Sequence, residues 1–390
     1  MKKTLILLFA ALVAVAASAK QEEKESVSLY DRAPNRRTII LPKVDGFNAY
    51  KADLHVHTFF SDGEISPEER VEEAWCDGLD ILAITDHIET RRQERAMLKF
   101  LKNYSPDKKG FEPINTRCSR GIPADERGII SDLNYSVEAA RAKAESSYPD
   151  IYIIKGTEIS REPEKIGHYC ALFTKDNNTL YVADDAQTIR NAKAQGAIIV
   201  HNHPGWERAT TAKTEFEKGI YAEGLIDGAE VTNGSTFYMN ILERCVAEKL
   251  FVVSATDIHK RSITQQNGGF YRPMTIIFAK EKSEKAIREA LLSRRTLGYC
   301  GGNIIGEVSL LEKFFKASIT ATLASESKKG KQIVLKNNSS IPYNLILNGA
   351  PIRIEALGEI SVSVKDKVVV SVQNMIHKSI QHPTFELNIN

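Results

Sequence analysis

The sequence predicts an α/β protein, a parallel sheet wrapped by helices into a barrel, followed by a small all-β domain. Three observations carry this. From residue 50 onward, apolar runs of strand length alternate with stretches of helical periodicity, the pattern of a parallel sheet covered by helices. The strand runs are apolar on both faces, as in sheets buried on both sides. Seven or eight such units fill about 260 residues, the size of a closed barrel. An open doubly wound sheet is the alternative.

The elements follow in order. ADLHVHT (52–58) reads as the first strand. Ser66-Pro67-Glu68-Glu69 is a capping box with Pro at the first helical position. It opens a helix to about Asp77, which Gly78 stops. LDILAITDH (79–87), IYIIKGTEI (151–159), HYCALF (168–173), AIIVHNH (197–203), GAEVT (228–232), FVVSATDIH (251–259) and MTIIFAK (274–280) are further strands. Helical patterns lie near 132–147, 184–195, 236–249 and 281–294. Residues 102–131 break the rhythm with Gly, Pro, Asn, Ser and a basic cluster of Arg117, Arg120 and Arg127; a loop this long is often functional. After about residue 315 short alternating runs are separated by NNSS, NG and KDK, which reads as an antiparallel β-sandwich.

The ends and the charge set further bounds. Met1-Lys2-Lys3, the apolar run 4–16 and Ala17-Ser18-Ala19 have the three parts of a signal peptide. The apolar run is shorter than the ~20 residues of a spanning helix. The expectation is a signal peptide over 1–19, a lead-in over 20–49, a barrel over 50–314 and a β domain over 315–390, in an exported, periplasmic chain with no transmembrane span. The β domain, having no ligand cluster, is expected to be dispensable for chemistry. The formal charge is +2, and Lys2 and Lys3 account for the excess. A balanced chain has no global attraction for nucleic acid, so no stable nucleic-acid partner is expected. Five cysteines lack any C-x-x-C pair, and Cys76, Cys170 and Cys245 sit in apolar patterns that suit buried thiols.

Chemistry is concentrated in the histidines. Seven of nine lie between residues 55 and 259, most of them at the end of a strand run. His55 and His57 are two apart on a strand and so share a side. Asp62 follows in a turn. His87, Glu158, His201, His203, Asp257 and His259 end later strands, and His168 starts one. In a parallel barrel all strand C-termini meet on one face, where active sites form. So many imidazoles and carboxylates on one rim would desolvate or repel one another without a cation. Mixed imidazole and carboxylate ligands suit Zn, Mn or Fe. Their number exceeds the four that one Zn takes, so two or three divalent transition-metal ions are expected. His377 and His382 fall in the β domain and read as unrelated surface residues.

These motifs resemble the PHP family, the polymerase and histidinol phosphatase superfamily. DLHVHTFFSDG (53–63), ITDH (84–87), GTEIS (156–160), HNHPG (201–205) and TDIH (256–259) carry the resemblance, in the family's order. It implies a distorted seven-stranded (β/α) barrel with a di- or trinuclear site. By the same resemblance His55, His57, Glu158 and Asp257 hold one metal. His87 and His259 hold a second, with Asp62 where other members have His. Glu158 bridges to a third held by His168 and His203. His201 is an extra histidine, either sharing the role of His203 or donating a proton to the leaving oxygen. The implied activity is hydrolysis of a phosphate mono- or diester of a small phosphorylated substrate, with metal-activated hydroxide attacking phosphorus. Phosphate needs positive groups. Arg161 is the first candidate, ahead of Lys260, Arg261, Arg117 and Arg120. Ser61 reads as a turn residue rather than a nucleophile. An amidohydrolase-type metallohydrolase and a non-catalytic metal-bound module are the alternatives.

Overall fold

The computed structural model describes residues 35–91, 132–262 and 270–390. The expected signal peptide and most of the lead-in, and the loop 102–131 with Arg117, Arg120 and Arg127, lie outside the described residues. Twelve strands form one curled sheet of mixed direction. β1 (Asn48–Asp53), β2 (Ile81–Ile84) and β3 (Tyr152–Ser160) run parallel. Helix α1 (Pro67–Cys76) joins β1 to β2 and begins with both hydrogen bonds of the Ser66–Glu69 capping box. It ends where Gly78 takes φ +88°, a conformation that glycine adopts without a Cβ penalty. α2 (Tyr135–Ser147) leads into β3.

At β4 (His168–Leu172) the sheet departs from the all-parallel expectation. β4 runs antiparallel to β3. Residues 161–167 hold no helix; instead the amides of Lys165, Ile166 and Gly167 all turn back onto the Glu162 carbonyl. β4 is also antiparallel to β5 (Ile198–Asn202), which follows α3 (Asp185–Ala194). The reversal brings the start of β4 to the rim where β3 and β5 end, with His168 opposite Ser160 and Asn202. α4 (Glu215–Ala222), not expected from the sequence, precedes β6 (Gly228–Asn233). A two-residue strand β7 (Thr236–Phe237) folds back on β6, so α5 runs only over Met239–Glu248. β8 (Phe251–Ala255) pairs in parallel with β6.

On the other side of β1, β9 (Met274–Ala279), β10 (Thr296–Cys300) and β11 (Asn303–Ile305) add antiparallel, with α6 (Glu284–Leu292) between β9 and β10. The sheet curls until its flanks meet. Ser254 N donates to Thr275 Oγ1 (3.0 Å) and Val252 N to Thr296 Oγ1 (3.1 Å). Past the strand ends, Asp257 N donates to the His55 carbonyl (2.9 Å) and His57 N to that of Ile258 (3.1 Å). The rim that carries the histidines is therefore closed by backbone hydrogen bonds.

Helix α7 (Val308–Ser318) opens the C-terminal part. There β12 (Ile319–Ser327), β13 (Gly330–Asn337) and β16 (Glu359–Val364) form one antiparallel sheet. β15 (Ala350–Ile354), β14 (Tyr343–Leu347), β17 (Val368–Val372) and β19 (Thr384–Leu387) form a second. β18 (Met375–Ile376) leaves this part and pairs in parallel with β11 of the large sheet. Buried side chains run without a break from Leu82 and Phe278 through Phe314 and Phe315 to Tyr343 and Val370. Residue 315 thus lies inside α7, in a core shared by both parts. No helix among the described residues is long and apolar enough to cross a membrane. Cys170 and Cys245 are buried, while Cys76 is half-buried.

Candidate metal centre

Nine of the residues singled out in the sequence converge at the rim in four overlapping groups of donor atoms; two share His55 and merge, which leaves three clusters. The first is the tightest. His55 Nε2 lies 3.0 Å from His57 Nε2, 3.3 Å from Glu158 Oε2 and 3.3 Å from Asp257 Oδ1. His57 Nε2 lies 3.4 Å from Glu158 Oε2 and 2.9 Å from Asp257 Oδ1. Four donors ~2.0–2.2 Å from a tetrahedral ion sit ~3.3–3.6 Å from one another. The measured edges approach that spacing. The second group gathers on Asp62 Oδ1, which is 3.2 Å from His259 Nε2, 3.4 Å from His87 Nε2 and 3.7 Å from His57 Nδ1. The third gathers on Glu158 Oε1, 3.3 Å from His168 Nδ1 and 3.4 Å from His203 Nε2. Glu158 therefore offers one oxygen to each of two groups. Asp62 Oδ1 and Glu158 Oε2 are buried and meet only imidazole nitrogens, with Glu158 Oε2 2.8 Å from His87 Nδ1, and buried carboxylate oxygens of this kind need positive charge beside them, from imidazolium or from a cation.

The outer nitrogens of the imidazoles are held by other acceptors. His55 Nδ1 is 2.7 Å from Glu230 Oε1, His168 Nε2 is 3.1 Å from the Arg161 carbonyl, and His259 Nδ1 is 2.7 Å from the Asp257 carbonyl. Each contact assigns the proton to the outer nitrogen and turns the lone pair of the other inward. Sequence reasoning missed Glu230. It is fully buried on β6, and its Oε2 also accepts from His203 N (2.6 Å) and Asn233 Nδ2 (2.9 Å). The only signal for it was a carboxylate inside the apolar run GAEVT. Asn202 was missed too; its Nδ2 donates to Glu158 Oε1 (2.8 Å).

Two buried arginines fix the backbone below. Arg70 on α1 donates through Nε (3.0 Å) and Nη2 (2.8 Å) to the His57 carbonyl, through Nη2 to that of His259 (3.3 Å), and through Nη1 to that of Lys260 (2.9 Å). Arg272 Nη2 lies 2.7 Å from Asp53 Oδ2, while Asp53 Oδ1 accepts from Thr256 N (3.1 Å) and His55 N (3.4 Å). The imidazoles divide electrostatically: burial opposes protonation of His55, His87, His203 and His259, but the carboxylates beside them outweigh it and raise all four. Burial, with the neighbouring His87 and His259, pushes His57 down to about 4, leaving it neutral at pH 7. Burial opposes ionisation of Asp62 and Asp257, but the surrounding imidazoles outweigh it and hold both carboxyls well below the usual range.

Two sequence-based expectations place side chains where the structure does not. The His201 imidazole points away from the rim, toward α4, with Nδ1 2.8 Å from Tyr221 Oη and Nε2 3.2 Å from Glu217 Oε1. It neither joins a donor group nor faces a leaving oxygen. The Arg161 guanidinium is buried against Glu89 (Nε–Oε1 2.9 Å) and donates to the Val182 carbonyl and Thr188 Oγ1. Its charge balances a buried carboxylate rather than waiting for phosphate. Lys260 and Arg261 are exposed and face Glu64 and Glu69. Ser61 Oγ donates to Asp86 Oδ1 (2.7 Å), which also accepts from Thr58 N (2.7 Å); that is the turn role read from the sequence.

A family model described as the PHP domain matches residues 53–347. Among solved structures, a two-domain protein from Bacteroides vulgatus containing a predicted PHP-like metal-dependent phosphoesterase is similar at 30% identity and a TM-score of 0.78. The match covers 91% of this chain and 99% of that one. PsfC from Pseudomonas syringae is far more distant, at 14% identity and TM-score 0.39 over 69% of this chain and 96% of its own. The lesion-specific endonuclease PfuEndoQ from Pyrococcus furiosus is equally so, at 14% and 0.39 over 66% and 59%. No curated protein sequence matches the chain.

Proposed function

The chain belongs to the PHP domain family, and from that premise we propose that it is a metal-dependent hydrolase of the phosphate mono- or diester of a small molecule. The observation that carries the proposal is the shared carboxylate. Glu158 turns Oε2 to His55 and His57 and Oε1 to His168 and His203, so neighbouring ions would be held by one residue, an arrangement that suits metal-assisted in-line displacement at phosphorus. His55, His57, Glu158 and Asp257 would hold one ion, Asp62, His87 and His259 a second, and Glu158, His168 and His203 a third. Bound there, Zn, Mn or Fe ions would supply a nucleophile from water near neutral pH and offset charge on the phosphoryl oxygens.

The chain's own residues do the positioning. Glu230 and the Arg161 and Asp257 carbonyls fix the imidazole tautomers. Asn202 orients Glu158. Arg70 ties the segments after His57 and His259 to a single guanidinium, so two donor groups keep their spacing. Arg91 Nη1 donates to the His87 carbonyl (3.2 Å), and other arginines beside these segments pair with carboxylates, Arg70 to Glu73, Arg161 to Glu89, Arg272 to Asp53 and Arg208 to Glu217. We further propose that residues 1–19 are cleaved and that the mature chain acts in the periplasm; intact-mass analysis of exported protein should start at Lys20.

The functional test is elemental analysis joined to a substrate panel. Purified protein should carry two or three transition-metal ions per chain and hydrolyse phosphate esters. His55→Ala, Glu158→Ala and Asp257→Ala should each lose metal and turnover. Protein that takes up neither Mn nor Zn, or that cleaves amides or carboxylic esters in preference to every phosphate ester, would overturn the proposal.

A further inference from the structure

Trp206 stands at the lip of the centre, three residues past His203. We propose that its indole is a stacking platform that selects phosphate esters whose alcohol carries a planar aromatic ring. This rests on the phosphoesterase reading and names the class of substrate it favours. His168 and His203 are 4% and 8% exposed, whereas Trp206 is 44% exposed. Its ring centroid lies 5.2 Å from that of His168 at 56°, and 5.4 Å from that of His203 at 69°. The indole therefore meets both imidazoles steeply rather than face to face. A large aromatic face stays in water beside two donors of one group.

That face is held in place. Trp206 N donates to the His203 carbonyl (2.8 Å) and closes a tight turn. The Arg208 side chain bonds the Pro204 carbonyl, its amide donates to that of Gly205 (3.2 Å), and its Nη1 pairs with buried Glu217 (2.9 Å). Gly205 lies on the Tyr238 ring so closely that a Cβ there would come within 2.9 Å of it. The turn is thus gripped from both sides, and a platform fixed in advance spends little of its binding energy on ordering. A stacked ring on such a face is worth about five- to 150-fold in affinity. The shared chemistry is a flat aromatic group joined to phosphate, whether a nucleobase through its sugar or a phenol directly.

The chain has two tryptophans. The other, Trp75, packs on Tyr148 at 4.9 Å, so Trp75→Phe leaves Trp206 as sole reporter. Mn-loaded Trp75→Phe protein is titrated by fluorescence with adenosine 5′-monophosphate, O-phosphotyrosine and ribose 5-phosphate, and hydrolysis of each is timed with the wild type. At least one aromatic ester should quench Trp206 and bind at least fivefold tighter than ribose 5-phosphate; which of the two does so identifies the source of the ring. In turnover and competition assays, Trp206→Ala should erase this preference through KM with metal content unchanged, and Trp206→Phe should keep most of it. A merely structural role under His168 and His203 would instead lower metal content. If discrimination persists but neither these monoesters nor the diester bis(4-nitrophenyl) phosphate is hydrolysed, the phosphoesterase proposal falls and the platform stands. If all three esters bind and turn over equally, or Trp206→Ala keeps the preference, the platform falls.

Discussion

Glu230→Gln is a demanding test of the centre, because the change is isosteric and touches no donor atom. The carboxylate accepts three hydrogen bonds, one at Oε1 from His55 Nδ1 and two at Oε2 from His203 N and Asn233 Nδ2. A glutamine has one acceptor oxygen and one donor NH2. With the NH2 on the Oε2 side, it faces two donors, one of them the amide of His203. With the NH2 on the Oε1 side, it faces His55 Nδ1 and can be satisfied only if His55 moves its proton to Nε2. That proton would occupy the nitrogen that lies 3.0–3.3 Å from His57, Glu158 and Asp257. The first orientation loses two charge-assisted bonds and the second loses one unless His55 changes tautomer, each worth about 1.5–3 kcal/mol. Partners of this kind change metal affinity by about 10–100-fold. Calorimetric titration of chelator-stripped protein with Zn or Mn should therefore show the tightest site weakened by one to two decades. Asn233→Ala removes one bond to Oε2 and a longer one to Asp257 Oδ2 (3.3 Å) but leaves the Glu230–His55 contact intact, and should weaken it less. Wild-type affinity in Glu230→Gln, at an unchanged melting temperature, would refute the assignment of Glu230 as the residue that orients His55.

Three further outcomes follow from the same geometry. Arg161→Ala should strand the buried Glu89 carboxylate and cost about 3–5 kcal/mol in chemical denaturation, while the pair Arg161→Met with Glu89→Gln should recover most of it; a phosphate-binding arginine would instead raise KM at unchanged stability. His201→Gln should keep the full metal content by mass spectrometry, whereas His203→Ala should lose an ion; equal loss in both would return His201 to the centre. A chain ending at residue 314 should be insoluble or lack a cooperative melt, since it removes Phe315 from the shared core and β18 from its pairing with β11; a soluble, cooperatively melting 20–314 protein would show that the β part is separable.

Much of this fold was legible because local signals and tertiary burial agree. The Ser66–Glu69 box starts α1, Gly78 ends it, and the apolar runs at 79–84, 151–159, 197–202 and 251–255 hold buried strands. The reversal at β4 was not legible. HYCALF is equally apolar in either direction, and its direction is decided by the turn on the Glu162 carbonyl. α4 carried a readable start in Thr214 and Glu217, whose capping box forms, but the run after it is short and only half apolar. Glu230 and Arg161 show the harder limit. A charge in an apolar run says that something must compensate it, and only the fold says whether that partner is a ligand imidazole or another buried charge.

The alternation that pairs His55 with His57 does not extend to every histidine pair on the rim. Alternation along a strand puts residues two apart on one side, which would send His201 and His203 to the same place. β5 ends at Asn202, and His203 takes φ +24°. The backbone therefore turns between them, leaving His201 with Glu217 behind the sheet and His203 in the centre, while Asn202 reaches Glu158. Asp257 repeats the device. β8 ends at Ala255 and Asp257 takes φ +52°. A left-handed non-glycine residue costs about 1–3 kcal/mol and persists only where its surroundings over-determine it. Here those surroundings are the bonds from Asp257 N to the His55 carbonyl (2.9 Å) and from His203 N to Glu230 (2.6 Å). Asp257 is thus fastened to the segment carrying its partner donor His55, and His203 to the Glu230 that also holds His55. The strain gives a reach that a straight strand end lacks. Asp257 brings Oδ1 to 2.9 Å from His57 and Oδ2 to 3.9 Å from His203, so that, like Glu158, it faces two groups of donors at once.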